Sequence, residues 1–292
     1  MNHIAGKTNP GLGTDRPNPL NDRLLRGRID RLCNAGSDAG LRRRELLTVA
    51  AAWPCASLAA DLPSVIARTK ASLCAVGTYN ELSSPRFTFR GTGFFVGDGS
   101  AVATCWHVLP QVAVGDTTAG RLVVQLPAGG GQFEYREASV AASDRAHDLA
   151  VLKVSGGPRP PLAMADPTDV VEGLSVVFMG YPIGGRLGFT PVSHRGIVSS
   201  IITSAVQPPT AGNLTAGAIR QLRDGPFVLL QLDATAYPGN SGGPLLDAES
   251  GQVVGVISMV LVKGTRESAL THPSGISYAV PVQYLSALIK GS

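Results

Sequence analysis

No stretch of the 292-residue chain reaches the roughly 18 consecutive apolar residues that a membrane helix needs, so no stable membrane span is expected. Long runs with apolar residues at helical spacing are scarce too. With 35 glycines and 21 prolines, the composition points to an all-β class rather than a helical bundle. Cysteine is sparse, and of the four present Cys33 and Cys55 fall within the first 60 residues. Cys74 and Cys105 remain for the rest of the chain, either as a disulfide or as a buried reduced pair.

Excess charge is also missing from most of the chain. Residues 1–60 carry nine Lys/Arg against five Asp/Glu, so the net charge of +4 belongs to them and residues 61–292 are balanced. A neutral body gives no electrostatic case for a nucleic-acid partner. Neither a cofactor nor a metal is expected: the three glycines within 127–132 read as a hairpin tip, and no helix follows them to cradle a phosphate.

Residues 1–40 are polar, broken by Pro10, Pro17 and Pro19, and carry no recognisable chemistry. Residues 41–60 run from Arg42-Arg43-Arg44 through an apolar stretch to small residues, the layout of an export signal. Arg43-Arg44-Glu45-Leu46-Leu47 has the look of a twin-arginine signal. The expectation is a leader over 1–60, cut near Ala59 or Ala60, and a periplasmic or secreted domain over 61–292. If the leader is not a signal, the chain stays cytoplasmic.

The candidate chemistry centres on Tyr237-Pro238-Gly239-Asn240-Ser241-Gly242-Gly243-Pro244, a glycine-packed turn between two strand-like runs. A serine hydroxyl attacks a carbonyl only when a base takes its proton and fixed donors meet the anion that forms. Ser241 is the candidate nucleophile. The backbone of Gly239, Asn240 and Ser241 is the candidate oxyanion hole, with the Gly239 and Ser241 amides as its donors.

This turn also fits G-x-S-x-G, the nucleophile elbow of α/β-hydrolases, in which the acid and the histidine follow the serine. Asp247 and His272 would then be the partners, but the flanks look like strands and no long helix follows. The order His, Asp, Ser finds partners upstream. His107 ends a strand–turn–strand run that starts at Gly91-Thr92-Gly93-Phe94, and Asp148 opens the apolar strand Leu149-Ala150-Val151-Leu152. A carboxylate there would fix the imidazole tautomer and stabilise the imidazolium. Asp144 is the weaker acid candidate, and His147 reads as a bystander.

Together with Gly180-Tyr181-Pro182-Ile183-Gly184, Gly196-Ile197-Val198-Ser199, Gln231-Leu232-Asp233-Ala234, Gly255-Val256-Ile257-Ser258 and Ile276-Ser277-Tyr278-Ala279-Val280-Pro281, these segments resemble serine proteases of the HtrA/Deg type. The resemblance implies an all-β trypsin-like fold of two six-stranded antiparallel barrels, at about 71–155 and 170–290, with the active site between them and a short helix over 281–290. It implies a serine endopeptidase acting on unfolded or misfolded proteins through His107, Asp148 and Ser241. Thr235 would floor the substrate pocket, and Ile257, Ser258 and Met259 would wall it. Enzymes with basic specificity carry an aspartate where Thr235 stands, so small or medium aliphatic residues are the expected preference. The family usually continues into a PDZ domain, and PDZ-based sensing is not carried over to a sequence that stops at Ser292. A latent or inactive protease-fold chaperone or binding module is the alternative.

Overall fold

Short apolar runs separated by glycine-rich turns build strands that close on themselves twice. The computed structural model describes residues 61–110, 120–182, 184, 188–203, 227–258 and 275–291. Helix α1 (Leu62–Ser72), with Pro63 in its first turn, leads in. The first barrel comprises β1 (Leu73–Tyr79), β2 (Phe87–Val96), β3 (Ala101–Cys105), β4 (Arg121–Gly129), β5 (Gln132–Asp144) and β6 (Leu149–Val154). The second comprises β7 (Ser175–Gly180), β8 (Val192–Thr203), β9 (Val228–Asp233), β10 (Pro244–Asp247), β11 (Val253–Ile257) and β12 (Ile276–Pro281). Helix α2 (Val282–Lys290) closes the described chain.

Both barrels are closed and antiparallel, in the orders β1-β2-β3-β6-β5-β4 and β10-β11-β12-β9-β8-β7. The expected fold class holds. Phe94, Phe95 and Phe178 are among the largest fully buried side chains, and each such burial contributes about 1.5–3 kcal/mol. Phe189, in the left-handed region at φ 53°, sends its ring from the β7–β8 loop among Phe87, Phe89 and Phe133 at 5.6–5.7 Å. Few aromatics are present, and here they tie the second barrel to the first.

Several strand ends differ from the sequence expectation, for local reasons. The run 101–108 leaves the ladder after Cys105 and forms a 3-10 turn over Trp106–Val108. Trp106 N–H is drawn to the Asp148 carbonyl (3.1 Å), and Arg90 donates to the carbonyls of Val108 (2.7 Å) and Leu109 (3.1 Å). The sequence reads as strands over 121–125 and 139–144, and the β4–β5 hairpin is longer because its strands keep pairing up to the Gly130-Gly131 turn. The proline-rich connection is stitched to both barrels: Arg159 and Leu162 N–H donate to Gly99 and Phe95 of the first, then Ala163 and Ala165 pair with Val253 of the second, all at 2.8–2.9 Å. The sequence also reads as a long loop over 205–226 and a strand over 253–262; the loop and residues 259–262 lie outside the described residues.

Cys74 and Cys105 are both buried and unbridged. They stand on β1 and β3 with β2 between them. Two strand spacings are about 10 Å, beyond the reach of a disulfide at roughly 7 Å.

Candidate active site

Register brings the histidine and the acid together. Cys105 pairs with Leu149 across β3 and β6, so the residues just outside that rung, 106–107 and 148, leave the sheet at the same end. Asp148 adopts φ 54°, a conformation that Asp tolerates better than most residues but that still strains the backbone. Its Oδ1 accepts from the His107 backbone N–H at 3.0 Å. Its Oδ2 accepts from His107 Nδ1 and from Ser258 Oγ, both at 2.7 Å. With Nδ1–H directed at the carboxylate, Nε2 is the ring atom left to take a proton. The His107 and Asp148 side chains are 18% and 13% exposed, so solvent dilutes the contact little.

Ser241 comes from the β9–β10 turn of the other barrel and is 5% exposed. Thr92, in the middle of β2, seats that turn. Its N–H donates to the Ser241 carbonyl (2.9 Å) and its hydroxyl donates to the Gly239 carbonyl (2.7 Å). The same hydroxyl accepts from Tyr181 N–H (3.0 Å), and the Thr92 carbonyl accepts from Thr104 Oγ1 (2.8 Å). The fit against the first barrel is close at Gly242, where φ is 83° and a Cβ would lie 2.2 Å from the Thr92 carbonyl and 3.0 Å from Cys105 N. Only glycine fits there. The Ser241 turn is thereby packed two residues from His107.

One of the three expected oxyanion residues has another task. Asn240 N–H donates to the Tyr237 carbonyl at 3.0 Å, closing the turn. Its buried side chain places Nδ2 3.4 Å from His194 Nε2. The Asn240 amide is thus engaged within its own turn, and the Gly239 and Ser241 amides remain the candidate oxyanion donors. His194 stacks on Phe178 at 4.8 Å, and burial holds its pKa below the usual imidazole value.

The expected pocket divides similarly. Thr235 is half-buried just after β9, and Ser277 fixes its neighbours by accepting from Ala236 N–H and donating to the Ala234 carbonyl, both at 2.8 Å. Ile257 is fully buried in the core of the second barrel and is not a free wall. Ser258, the next residue, turns its hydroxyl to Asp148. Met259 lies outside the described residues. Asp144, the weaker acid candidate, pairs with His147 (Nδ1 to Oδ2, 2.6 Å) and not with His107. Sequence reasoning missed Thr92, Ser277 and the role of Ser258. The threonine in Gly91-Thr92-Gly93 was visible, but its partners were not.

Cys105 Sγ, His107 and Asp148 bring ligand-type atoms within 4.8 Å of one another. Every one of those groups is already engaged. Sγ donates to the Ile257 carbonyl at 3.3 Å, and burial, then the Asp148 charge, pushes the thiol pKa well up. With Sγ placed on a buried carbonyl and both Asp148 oxygens already accepting hydrogen bonds, this donor set does not favour a metal.

A His–Asp pair at the strand ends of one six-stranded barrel, packed against a serine turn from a second, is the arrangement of trypsin-like peptidases. The model of the trypsin-like peptidase domain matches residues 91–256, and the chain belongs to that family. It is similar to the mitochondrial serine protease HTRA2 of Bos taurus, with 32% identity over 192 residues, covering 65% of this chain and 33% of that protein. It is also similar to a DegP-like protein of Halomonas elongata named as a periplasmic serine endoprotease, at 30% over 192 residues, covering 66% and 32%. The chain thus spans about a third of the length of these relatives. Among solved structures, an HtrA-type protease with a tripeptide shares the fold at TM-score 0.54 and 20% identity, covering 79% of this chain and 63% of that one.

Proposed function

We propose that the chain is a serine endopeptidase that cleaves unfolded or misfolded proteins. The observation carrying this reading is the His107–Asp148 contact at 2.7 Å, with Asp148 gripped by two further donors, beside a Ser241 turn whose Gly239 and Ser241 carbonyls both accept from Thr92. In the mechanism, His107 Nε2 removes the Ser241 hydroxyl proton as Oγ attacks the peptide carbonyl. Asp148 holds the ring in the required tautomer and stabilises the imidazolium. The Gly239 and Ser241 amides receive the oxyanion, each worth about 10² to 10³ in rate. His107 then returns the proton to the leaving amine, and water repeats the cycle on the acyl-enzyme.

Thr235 at the pocket floor supports cleavage after small or medium aliphatic residues. The arginine-led stretch 41–60 supports export, and the name of the Halomonas relative agrees with a periplasmic destination. No helix among the described residues is long and apolar enough to cross a membrane.

Labelling of the folded protein by a fluorophosphonate tests this reading, with Ser241→Ala and His107→Ala as controls. Labelling lost in both variants is expected. A folded wild type that takes up no label refutes it, and a peptide library cut chiefly after arginine overturns the pocket assignment.

A further inference from the structure

His147 stands next to the acid, and the proposed mechanism leaves it idle. Its environment is nevertheless built. The Asp144 carboxylate holds it twice, accepting from the backbone N–H (3.1 Å) and from Nδ1 (2.6 Å). That repeats, one turn away, the grip of Asp148 on His107 through backbone N–H (3.0 Å) and Nδ1 (2.7 Å). The His147 ring stacks on Tyr284 of α2 with centroids 3.8 Å apart and planes 20° apart. It also meets Phe227, just ahead of β9, in a T-shaped contact at 5.1 Å. Tyr284 completes the knot by accepting from Val228 N–H through its hydroxyl (3.1 Å) and meeting Phe227 edge-on at 6.3 Å.

Three segments far apart in sequence therefore close around one imidazole: the acid turn of the first barrel, the entry to β9, and the C-terminal helix. The acid turn is where such a brace is needed. Asp148 is strained at φ 54°, and a strained residue persists only when its surroundings determine it. On its other side the turn is held by Trp106 N–H on the Asp148 carbonyl (3.1 Å) and by the Arg145 guanidinium over the Trp106 ring (4.7 Å).

We infer that His147 is a positioning residue. Clamped by Asp144 and stacked on Tyr284, it fixes the peptide entering Asp148 and so ties the geometry of the His107–Asp148 pair to the C-terminal helix. This rests on the proposed hydrolase reading, since the pair it positions is the proposed catalytic one. Misplacing such a group by about 1 Å costs up to roughly 10²-fold in rate.

The test compares His147→Ala, His147→Phe and Tyr284→Leu in the full chain. One readout is the rate of fluorophosphonate labelling per folded molecule. Another is the low-field proton resonance of the His107–Asp148 hydrogen bond. His147→Ala and Tyr284→Leu are expected to slow labelling about 10- to 100-fold and to shift or broaden the resonance, with KM for a peptide substrate nearly unchanged. His147→Phe keeps the stack and is expected to recover part of the rate. The double variant His147→Ala/Tyr284→Leu is expected to be no worse than either single one, because the two act as one unit. Because Tyr284→Leu acts from the helix side, the result does not depend on one variant folding. Labelling at the wild-type rate with an unshifted resonance overturns the brace. If the wild type itself takes no label, the hydrolase reading fails, and the resonance alone decides the brace.

Discussion

Replacing Thr92 by valine isolates the seat of the Ser241 turn. The side chain stays β-branched, so β2 keeps its rotamer and its packing. Only the hydroxyl goes. Tyr181 N–H loses its acceptor, and the Gly239 carbonyl loses its 2.7 Å donor. Thr92 is 0% exposed and Tyr181 3%, so water does not replace what is lost. A buried unsatisfied group costs about 1–3 kcal/mol; with the Gly239 carbonyl only half-buried, the loss of stability sums to about 2–4 kcal/mol. The Gly239 carbonyl belongs to the peptide between the two candidate oxyanion amides, so releasing it lets both drift. A misaligned donor costs up to about 10² to 10³ in rate. Denaturant unfolding measures the first effect, and fluorophosphonate labelling of the folded protein measures the second. Thr92→Ser restores the hydroxyl and should label within a few-fold of wild type. Labelling of Thr92→Val at the wild-type rate would refute the assignment of Thr92 to the oxyanion turn.

Three further outcomes follow from the same geometry. Gly242→Ala places a methyl 2.2 Å from the Thr92 carbonyl at φ 83°, and should destabilise by about 2–4 kcal/mol in denaturant unfolding; an unchanged midpoint contradicts the packing described. His194 is held below the ordinary value of 6.5 by burial, so below pH 6.5 the unfolded chain binds a proton that the folded one resists. Its contribution to stability is complete above that pH and is lost as pH falls. Unfolding followed from pH 7.5 to 5 should show this loss, and a smaller one in His194→Phe. Burial raises the thiol pKa of both Cys74 and Cys105, so iodoacetamide should modify them only on unfolding, as read residue by residue by mass spectrometry.

Much of this protein is legible in its sequence because much of it is local. The short apolar run Leu149–Val154, the turn at Gly130-Gly131 and the glycines around Ser241 each involve neighbours, and each favours a strand or a turn on local grounds. The types and order of His107, Asp148 and Ser241 were likewise readable. Their setting was not. Thr92 reaches Gly239 across 147 residues, Ser258 reaches Asp148 across 110, and Tyr284 covers a histidine that looked idle in sequence. Asn240 and Ile257 were expected at an oxyanion hole and a pocket wall; the Asn240 amide closes its own turn and the Ile257 side chain lies in the barrel core. Local sequence sets which backbone conformation each segment prefers. Which hydroxyl meets which carbonyl is decided only when two barrels close and pack, because that contact depends on the register of strands far apart in the chain.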